Sequence, residues 1–477
     1  MDAPTEWRIE QADRFAVIVD AEAYFRAARR AMLLATKRIM LIGWDFDARI
    51  TLDYECAADE GPAPIGEFVY WLVQRNPELE VFLLRWDFGA IRALFRGTTV
   101  LTVLKWMTHK RITTRLDGHH PTGASHHQKV VVIDDCLAFC GGIDMTGERW
   151  DTRAHADDEP RRVRSWGTPY KPWHDASTCV SGPVAAALGE LARTRWQAAG
   201  GRKLVPVTGA EPCWPEGIEP DFEALPVRIA RTVPEMPDQP PRHESEALFL
   251  AQIASARRCV YVESQYFASR RIAEAIARRL DEPDGPEFVV VNPLTAQGWL
   301  EPVAMDSARA RLVEALRRRD VHGRFRLYHP YTERGEPIYV HAKILIVDDR
   351  VLRLGSSNMN NRSMRLDTEC DLAIEATDDA AAARITEIRD DLLAEHLAVT
   401  PERMAAATAE SGSLIAAVEG LRGDGRSLRP YQVPNLSAVE AWLADNEVLD
   451  PEGPGEMFEP VSKRGLFRRR LRKPGWW

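Results

Sequence analysis

The sequence predicts an α/β protein, an α+β sandwich built of two pseudo-twofold related halves whose mixed sheets are flanked by helices. Three observations predict it. The chain has 477 residues, more than one hydrophobic core ordinarily needs. Its apolar pattern switches repeatedly between helical spacing and dense β-branched runs. The same order of elements also occurs twice, at a period of more than two hundred residues.

In the first half, "AEAYFRAARRAMLLATK" has the apolar spacing of an amphipathic helix and runs into the strand "RIMLIGWDFDARI". The strand "LEVFLLRWD" follows, and later "HHQKVVVIDDCLAFCGG" reads as two strands joined at the aspartate pair. The second half repeats this order. The helix "SEALFLAQIASARR" leads into "CVYVESQYFASR", then "PEFVVVNP", then "VHAKILIVDDRVLRLGSS". Alternation of strands and helices favours mixed sheets with helical layers.

These landmarks divide the chain into a first half at 1–205, a linker at 206–240, a second half at 241–400 and a C-terminal extension at 401–477. The linker is expected from the proline- and acid-rich "VPVTGAEPCWPEGIEPDFEALP", read as irregular chain crossing the surface. The stretch from Ala154 to Lys171 is expected to be a long loop, and loops of that length are often functional. The chain ends in "SKRGLFRRRLRKPGWW", seven cationic residues between Lys463 and Lys473 with two terminal tryptophans. A solvated end and a surface anchor for anionic lipid have about equal claim on it.

The net charge of −9 argues against a general nucleic-acid binder. Seven scattered cysteines without a CxxC pair suit reduced thiols, and neither they nor other residues offer an obvious metal cluster. The polar start "MDAPTEWRIEQADRF" has no apolar signal segment, and no apolar run approaches a membrane span. A cytoplasmic protein is expected, peripheral to the membrane if its substrate is a lipid.

The duplication singles out one constellation. His127, Lys129 and Asp134 stand at i, i+2 and i+7, and His341, Lys343 and Asp348 repeat that spacing. On a strand, i and i+2 share a face, so each imidazole projects beside one ammonium. The aspartates have the opposite parity and suit the turn between two strands. One such stretch would most often be surface decoration; two in register are not. His126 has the opposite parity to His127 and is expected to be structural.

This repeated HxKxxxxD pattern resembles the phospholipase D superfamily. "HHQKVVVIDDCLAFCGGIDMTGERWDT", "PWHD", "VESQYF" and "HAKILIVDDRVLRLGSSNMNNRSMRLDTE" are similar, in order, to blocks of the phospholipase D enzymes over roughly residues 15–400. The resemblance implies one phosphodiester site at the interface of the halves, with no cofactor and no metal in the chemistry. His127 is then the nucleophile, His341 the acid and base, and Lys129 and Lys343 neutralise phosphate oxygens. Asp134 and Asp348 complete the motifs, mainly as turn residues. Asn358 donates to phosphate, while its counterpart by offset is Asp144, so the site is not symmetric. By the same resemblance Glu369 orients His341 and Asp175 orients His127. Gly141, Gly142 and Gly355 are expected to permit close packing under the site. Arg149 and Arg362 are expected to pair with carboxylates across the repeat, and Tyr266 and Phe267 to form walls. For Trp44, Trp86 and Trp150, a core role and a pocket-lining role have equal claim.

The implied function is hydrolysis of a glycerophospholipid headgroup to phosphatidic acid through a phosphohistidine, with transfer to other alcohols. The alternatives are a cardiolipin-synthase-like phosphatidyl transferase, or a nuclease or other phosphodiesterase of the same superfamily. The expected partner is a glycerophospholipid at a membrane surface, met through the tail from Lys463 to Trp477, by a monomer.

Overall fold

The computed structural model describes residues 4–87, 105, 106, 108–210, 213–297, 305–434 and 450. The tail from Lys463 to Trp477 lies outside the described residues, as do other parts of the C-terminal extension.

A single mixed sheet of sixteen strands runs through the described residues, and its order makes the duplication visible. At its centre, strands Arg8–Val19 and Phe222–Val233 pair antiparallel, with Phe15 opposite Phe222 and Arg8 opposite Ile229. Outward through the first half follow Ala176–Ser181, Leu137–Gly141, Val130–Ile133, Arg38–Gly43, Glu80–Trp86 and Ile112–Asp117. Outward through the second follow Glu369–Glu375, Val351–Gly355, Ile344–Val347, Cys259–Glu263, Glu287–Val291 and Phe325–Tyr331, with Ser427–Pro430 at the edge. In each half a run of three parallel strands lies outside antiparallel inner ones, and the edge strand Ser427–Pro430 pairs antiparallel.

The stretch expected to be a linker therefore contains a central strand. Phe222–Val233 is flanked on both sides, by Arg8–Val19 and by Glu369–Glu375. Its Pro226 lies within the pairing with Arg8–Val19. The described residues of 206–221 cross the surface without regular structure. The N-terminal segment, unremarked but for its polarity, supplies the other central strand.

The short apolar runs are explained by burial on both faces. Val130 and Val132 join a core that spans both halves, with helices Pro183–Ala198 and Asp379–Leu397. Val131 and Ile133 face the opposite way, into a first-half core with helices Ala21–Leu33 and Ile65–Arg75. Ile344 and Ile346 likewise join the shared core, while Leu345 and Val347 pack against helices Glu244–Ser255 and Arg270–Leu280. His127 and Lys129 share the parity of Val131, and His341 and Lys343 that of Leu345.

Asp134 and Asp135 have φ of 49° and 55°, and Asp348 and Asp349 have 54° and 60°. Two successive left-handed residues make the tight hairpin turn that Asp tolerates better than most. The Asp134 carboxylate accepts from the amides of Thr36 (2.6 Å), Lys37 (2.9 Å) and Arg38 (2.5 Å). Asp348 does the same for Arg257, Arg258 and Cys259, at 2.6, 2.7 and 3.0 Å. Each motif aspartate thus fastens the start of the neighbouring strand. Asp134→Ala is expected to cost about 3 kcal/mol, from three orphaned amides and a left-handed alanine. Urea unfolding measures the loss; kcat of the remaining folded protein should stay within about twofold, since a carboxylate that only holds a strand contributes to stability alone.

Among the described residues no helix is long and apolar enough to cross a membrane.

Candidate active site

The two motif strands end at the junction of the halves. There a cavity of about 370 Å³ is lined by His127 and His341 together, with Asn358, Asp144, Arg149 and Gln265. Trp44 and Trp86 stack on one wall, ring centroids 5.7 Å apart, and Tyr266 and Met305 also line the cavity.

Each imidazole is fixed at Nδ1. His127 Nδ1 lies 2.9 and 3.0 Å from the two carboxylate oxygens of Glu369. His341 Nδ1 lies 2.7 Å from Asp175 Oδ2. Both carboxyls are buried, and each stands at the inner end of the strand next to the central pair. Gly142 admits the Asp175 side chain, since a Cβ there would lie 2.1 Å from Oδ1.

The lysines are placed by their own strands. Lys129 Nζ donates to the His127 carbonyl (2.8 Å) and stands 3.3 Å from Asp144 Oδ2. Lys343 Nζ donates to the His341 carbonyl and, at 3.3 Å, to Gln265 Oε1. Gln265 Oε1 also accepts from Asn358 Nδ2 at 3.3 Å, while Asn358 Oδ1 is buried without a hydrogen bond. The asymmetry is therefore physical: Lys129 faces the Asp144 carboxylate where Lys343 faces the Gln265 amide.

Burial holds both imidazoles well below their ordinary value; Lys129 and Lys343 deepen the effect at His127, and Lys343 and Arg149 at His341. Burial also pushes the Lys343 ammonium down to about 7, against Asp175, which raises it. Burial raises the carboxyls of Glu369 and Asp175. Two ammoniums and Arg149 nevertheless balance Glu369, Asp175 and Asp144, which favours a neutral imidazole beside an ionised carboxylate. Nδ1–H then donates to the carboxylate, and Nε2 keeps its lone pair for the cavity.

Arg149 does not pair with a carboxylate across the repeat. It stacks on the Trp173 ring, 4.2 Å from the centroid, and lines the cavity. Arg362 does pair with a carboxylate, Asp367, but within its own half at 2.9 Å; it reaches the other half only at the Gly123 carbonyl, 2.7 Å away. Trp150 is buried against Tyr54 and does not line the cavity. His126 is buried, with Nδ1 2.8 Å from Thr368 Oγ1. Asp134 and Asp348, at the far ends of their strands, do not line the cavity.

Each half matches a family model. The model described as "Phospholipase D" matches residues 31–235, and "Cardiolipin synthase, PLD-like domain" matches 249–391. The chain belongs to the phospholipase D superfamily. It is 24% identical to phospholipase D alpha 4 of Arabidopsis thaliana, over 84% of this chain and 66% of that one. It is 23% identical to phospholipase D A of Dictyostelium discoideum, over 82% and 35%. The chain thus spans less than two thirds of the length of these curated relatives. The phosphatidylserine synthase structure from Haemophilus influenzae Rd KW20 shares the fold, with a TM-score of 0.54 and 16% identity over 80% of this chain and 86% of that one.

In this superfamily member the acid partners are exchanged relative to expectation. Glu369, of the second half, holds His127, of the first; Asp175, of the first, holds His341, of the second. The reason is topological. Strands Ala176–Ser181 and Glu369–Glu375 flank the central pair, so the residues at their starts reach across the pseudo-twofold axis. The backbone crosses too: the His127 amide donates to the Thr368 carbonyl and the His341 amide to the His174 carbonyl. Gln265 is a further site residue, visible in "VESQYF" only as a family block. Its structural counterpart in the first half is Trp44, one residue beyond strand Arg38–Gly43.

Proposed function

We propose that the chain is a phospholipase D-like phosphodiesterase that hydrolyses a glycerophospholipid to phosphatidic acid and a free headgroup alcohol. The observation that carries this reading is the pair of histidines, one from each half, opening on one cavity beside two lysines. His127 is the nucleophile: Nε2 attacks phosphorus, an N–P bond forms and the bond to the headgroup oxygen breaks. His341 gives that oxygen a proton. Water then attacks the phosphohistidine, His341 takes the proton, and His127 is released. Lys129, Lys343 and the Asn358 amide offset the charge on the non-bridging oxygens. Glu369 and Asp175 fix the tautomers. No step needs a metal or a cofactor.

The mechanism asks His341 to carry a proton, while burial and Lys343 hold its value well below the ordinary one. The phosphodiester anion resolves this, because its charge raises both His341 and Lys343. Binding of a phosphate-like anion such as tungstate at pH 7 is therefore expected to take up about one proton per chain. Calorimetry in buffers of different ionisation enthalpy measures it; binding with no proton exchange would contradict the assignment.

A second reading, transfer of the phosphatidyl group to an alcohol, is favoured by the second half's match to the cardiolipin synthase family model. One experiment addresses both. Phosphatidylcholine vesicles are offered with a primary alcohol, and the products are separated. Phosphatidic acid supports hydrolysis, and a phosphatidyl alcohol supports the covalent intermediate with transfer. Cleavage of single-stranded DNA without any lipid product would instead assign a nuclease.

The substrate class puts the reaction at a membrane surface. The basic tail from Lys463 to Trp477, with its two terminal tryptophans, has the composition of an anchor for anionic lipid. The division into halves at 1–205 and 241–400 is retained as a functional one, each half contributing one motif.

A further inference from the structure

We propose that Asp20, His155, His174 and Glu395 form a closed binding site for a divalent zinc-type ion, separate from the reaction cavity. One ligand atom from each lies within 4.8 Å of every other, and all four residues are buried. None of them lines the cavity between the catalytic histidines.

The distances are those of a coordination shell. Around a tetrahedral zinc with bonds near 2.0–2.1 Å, neighbouring ligand atoms stand about 3.3 Å apart. Here His155 Nε2 is 3.0 Å from Glu395 Oε1 and 3.4 Å from Asp20 Oδ2. His174 Nδ1 is 3.0 Å from Glu395 Oε1 and 3.3 Å from Asp20 Oδ1. Two imidazole nitrogens and two carboxylates are a set that zinc and its first-row neighbours accept, and the two negative charges neutralise the ion.

A second observation points to a ligand. Asp20 Oδ2 is wholly enclosed and accepts no hydrogen bond, although Asp20 is only 1% exposed. A buried carboxylate oxygen ordinarily has a hydrogen-bond partner.

The outer partners also have the arrangement that orients metal-bound histidines. His155 Nδ1 faces Asp151 Oδ2 at 3.0 Å, and Asp151 is held by Arg162 (3.1 Å) and the Trp173 amide (2.9 Å). His174 Nε2 faces Glu263 Oε2 at 2.7 Å, and Glu263 is held by Tyr261 and by His396 (3.0 Å). Each imidazole thus presents one nitrogen inward and is fixed by a carboxylate on the other.

The ligands come from the segment before helix Ala21–Leu33, the loop after residue 154, the strand Trp173–His174 and helix Asp379–Leu397. An ion here would fasten that helix to the first half. It would also steady the acid site, because Asp20 Oδ1 accepts from the Asp175 amide at 3.1 Å and the His174 carbonyl accepts from the His341 amide at 2.7 Å. The role is structural and independent of the reaction proposed above.

The test uses the full chain, purified, gel-filtered in metal-free buffer and measured by inductively coupled plasma mass spectrometry. About one zinc per chain is expected, and chelator-stripped protein should show a higher Tm when zinc alone is added back. Asp20→Asn and His155→Gln should each lower bound zinc by about tenfold or more. A ligand variant that failed to fold would lose metal trivially, so cobalt(II) is also added to stripped wild-type chain. A strong visible spectrum of tetrahedral nitrogen and oxygen ligation supports the site. Less than about 0.1 zinc per chain with no Tm response would overturn it. So would a weak octahedral cobalt spectrum, or an Asp20→Asn chain that holds as much zinc as wild type.

Discussion

His127→Ala should lower kcat on phosphatidylcholine by at least about 10⁴-fold, because it removes the atom that forms the covalent bond. His341→Ala should cost about 10²–10⁴-fold with the natural headgroup, the usual worth of a positioned proton donor. The two defects differ in kind. A substrate with a nitrophenol leaving group needs little acid help. On it His341→Ala should still form the N–P bond, then stall, because no base activates water. Acid quench of a ³²P-labelled reaction should trap phosphoprotein in His341→Ala and none in His127→Ala. Labelled His127→Ala, or residual turnover within tenfold of wild type, would defeat the assignment.

The exchanged carboxylates carry the second large effect. Glu369→Gln should behave like an injured His127 and Asp175→Asn like an injured His341, each at a loss of about 10²–10⁴-fold in kcat, as when an amide permits the wrong imidazole tautomer. With the nitrophenyl substrate, Glu369→Gln should slow formation of the phosphoprotein. Asp175→Asn should form it at nearly the normal rate and hydrolyse it slowly. The opposite pattern would mean that Glu369 serves His341 and Asp175 serves His127, as the family resemblance implies.

Much of the site is legible in the sequence. The duplicated spacing of His127, Lys129, His341 and Lys343 identifies both strands, and period-two geometry places each pair on one face. The parity of Asp134 and Asp348 likewise separates them from the histidines, and both stand in left-handed turn positions. Partner choice is not legible. Asp175 and Glu369 stand out as acids, but which imidazole each reaches depends on the pairing of Arg8–Val19 with Phe222–Val233. Neither of those strands has a local signature. They join the halves edge to edge and alternate apolar with charged residues, and the second carries a proline. Their polar composition reads as surface chain, because their stability comes from long-range pairing rather than from local pattern. The assembly of Asp20, His155, His174 and Glu395 has no spacing signal at all, since four separate elements deliver one residue each.

The crossing of the carboxylates bears on how such a chain can change over generations. A substitution at position 175 is felt at position 341 and one at 369 is felt at 127, so neither repeat can decay alone without silencing its sibling. Yet a covalently joined pair is free to become unequal, as two identical subunits are not. The differences between Asp175 and Glu369, Asp144 and Asn358, and Trp44 and Gln265 are the record of that freedom. A single polypeptide carrying both copies is what the proposed division of labour, one imidazole making the bond and the other moving protons, requires.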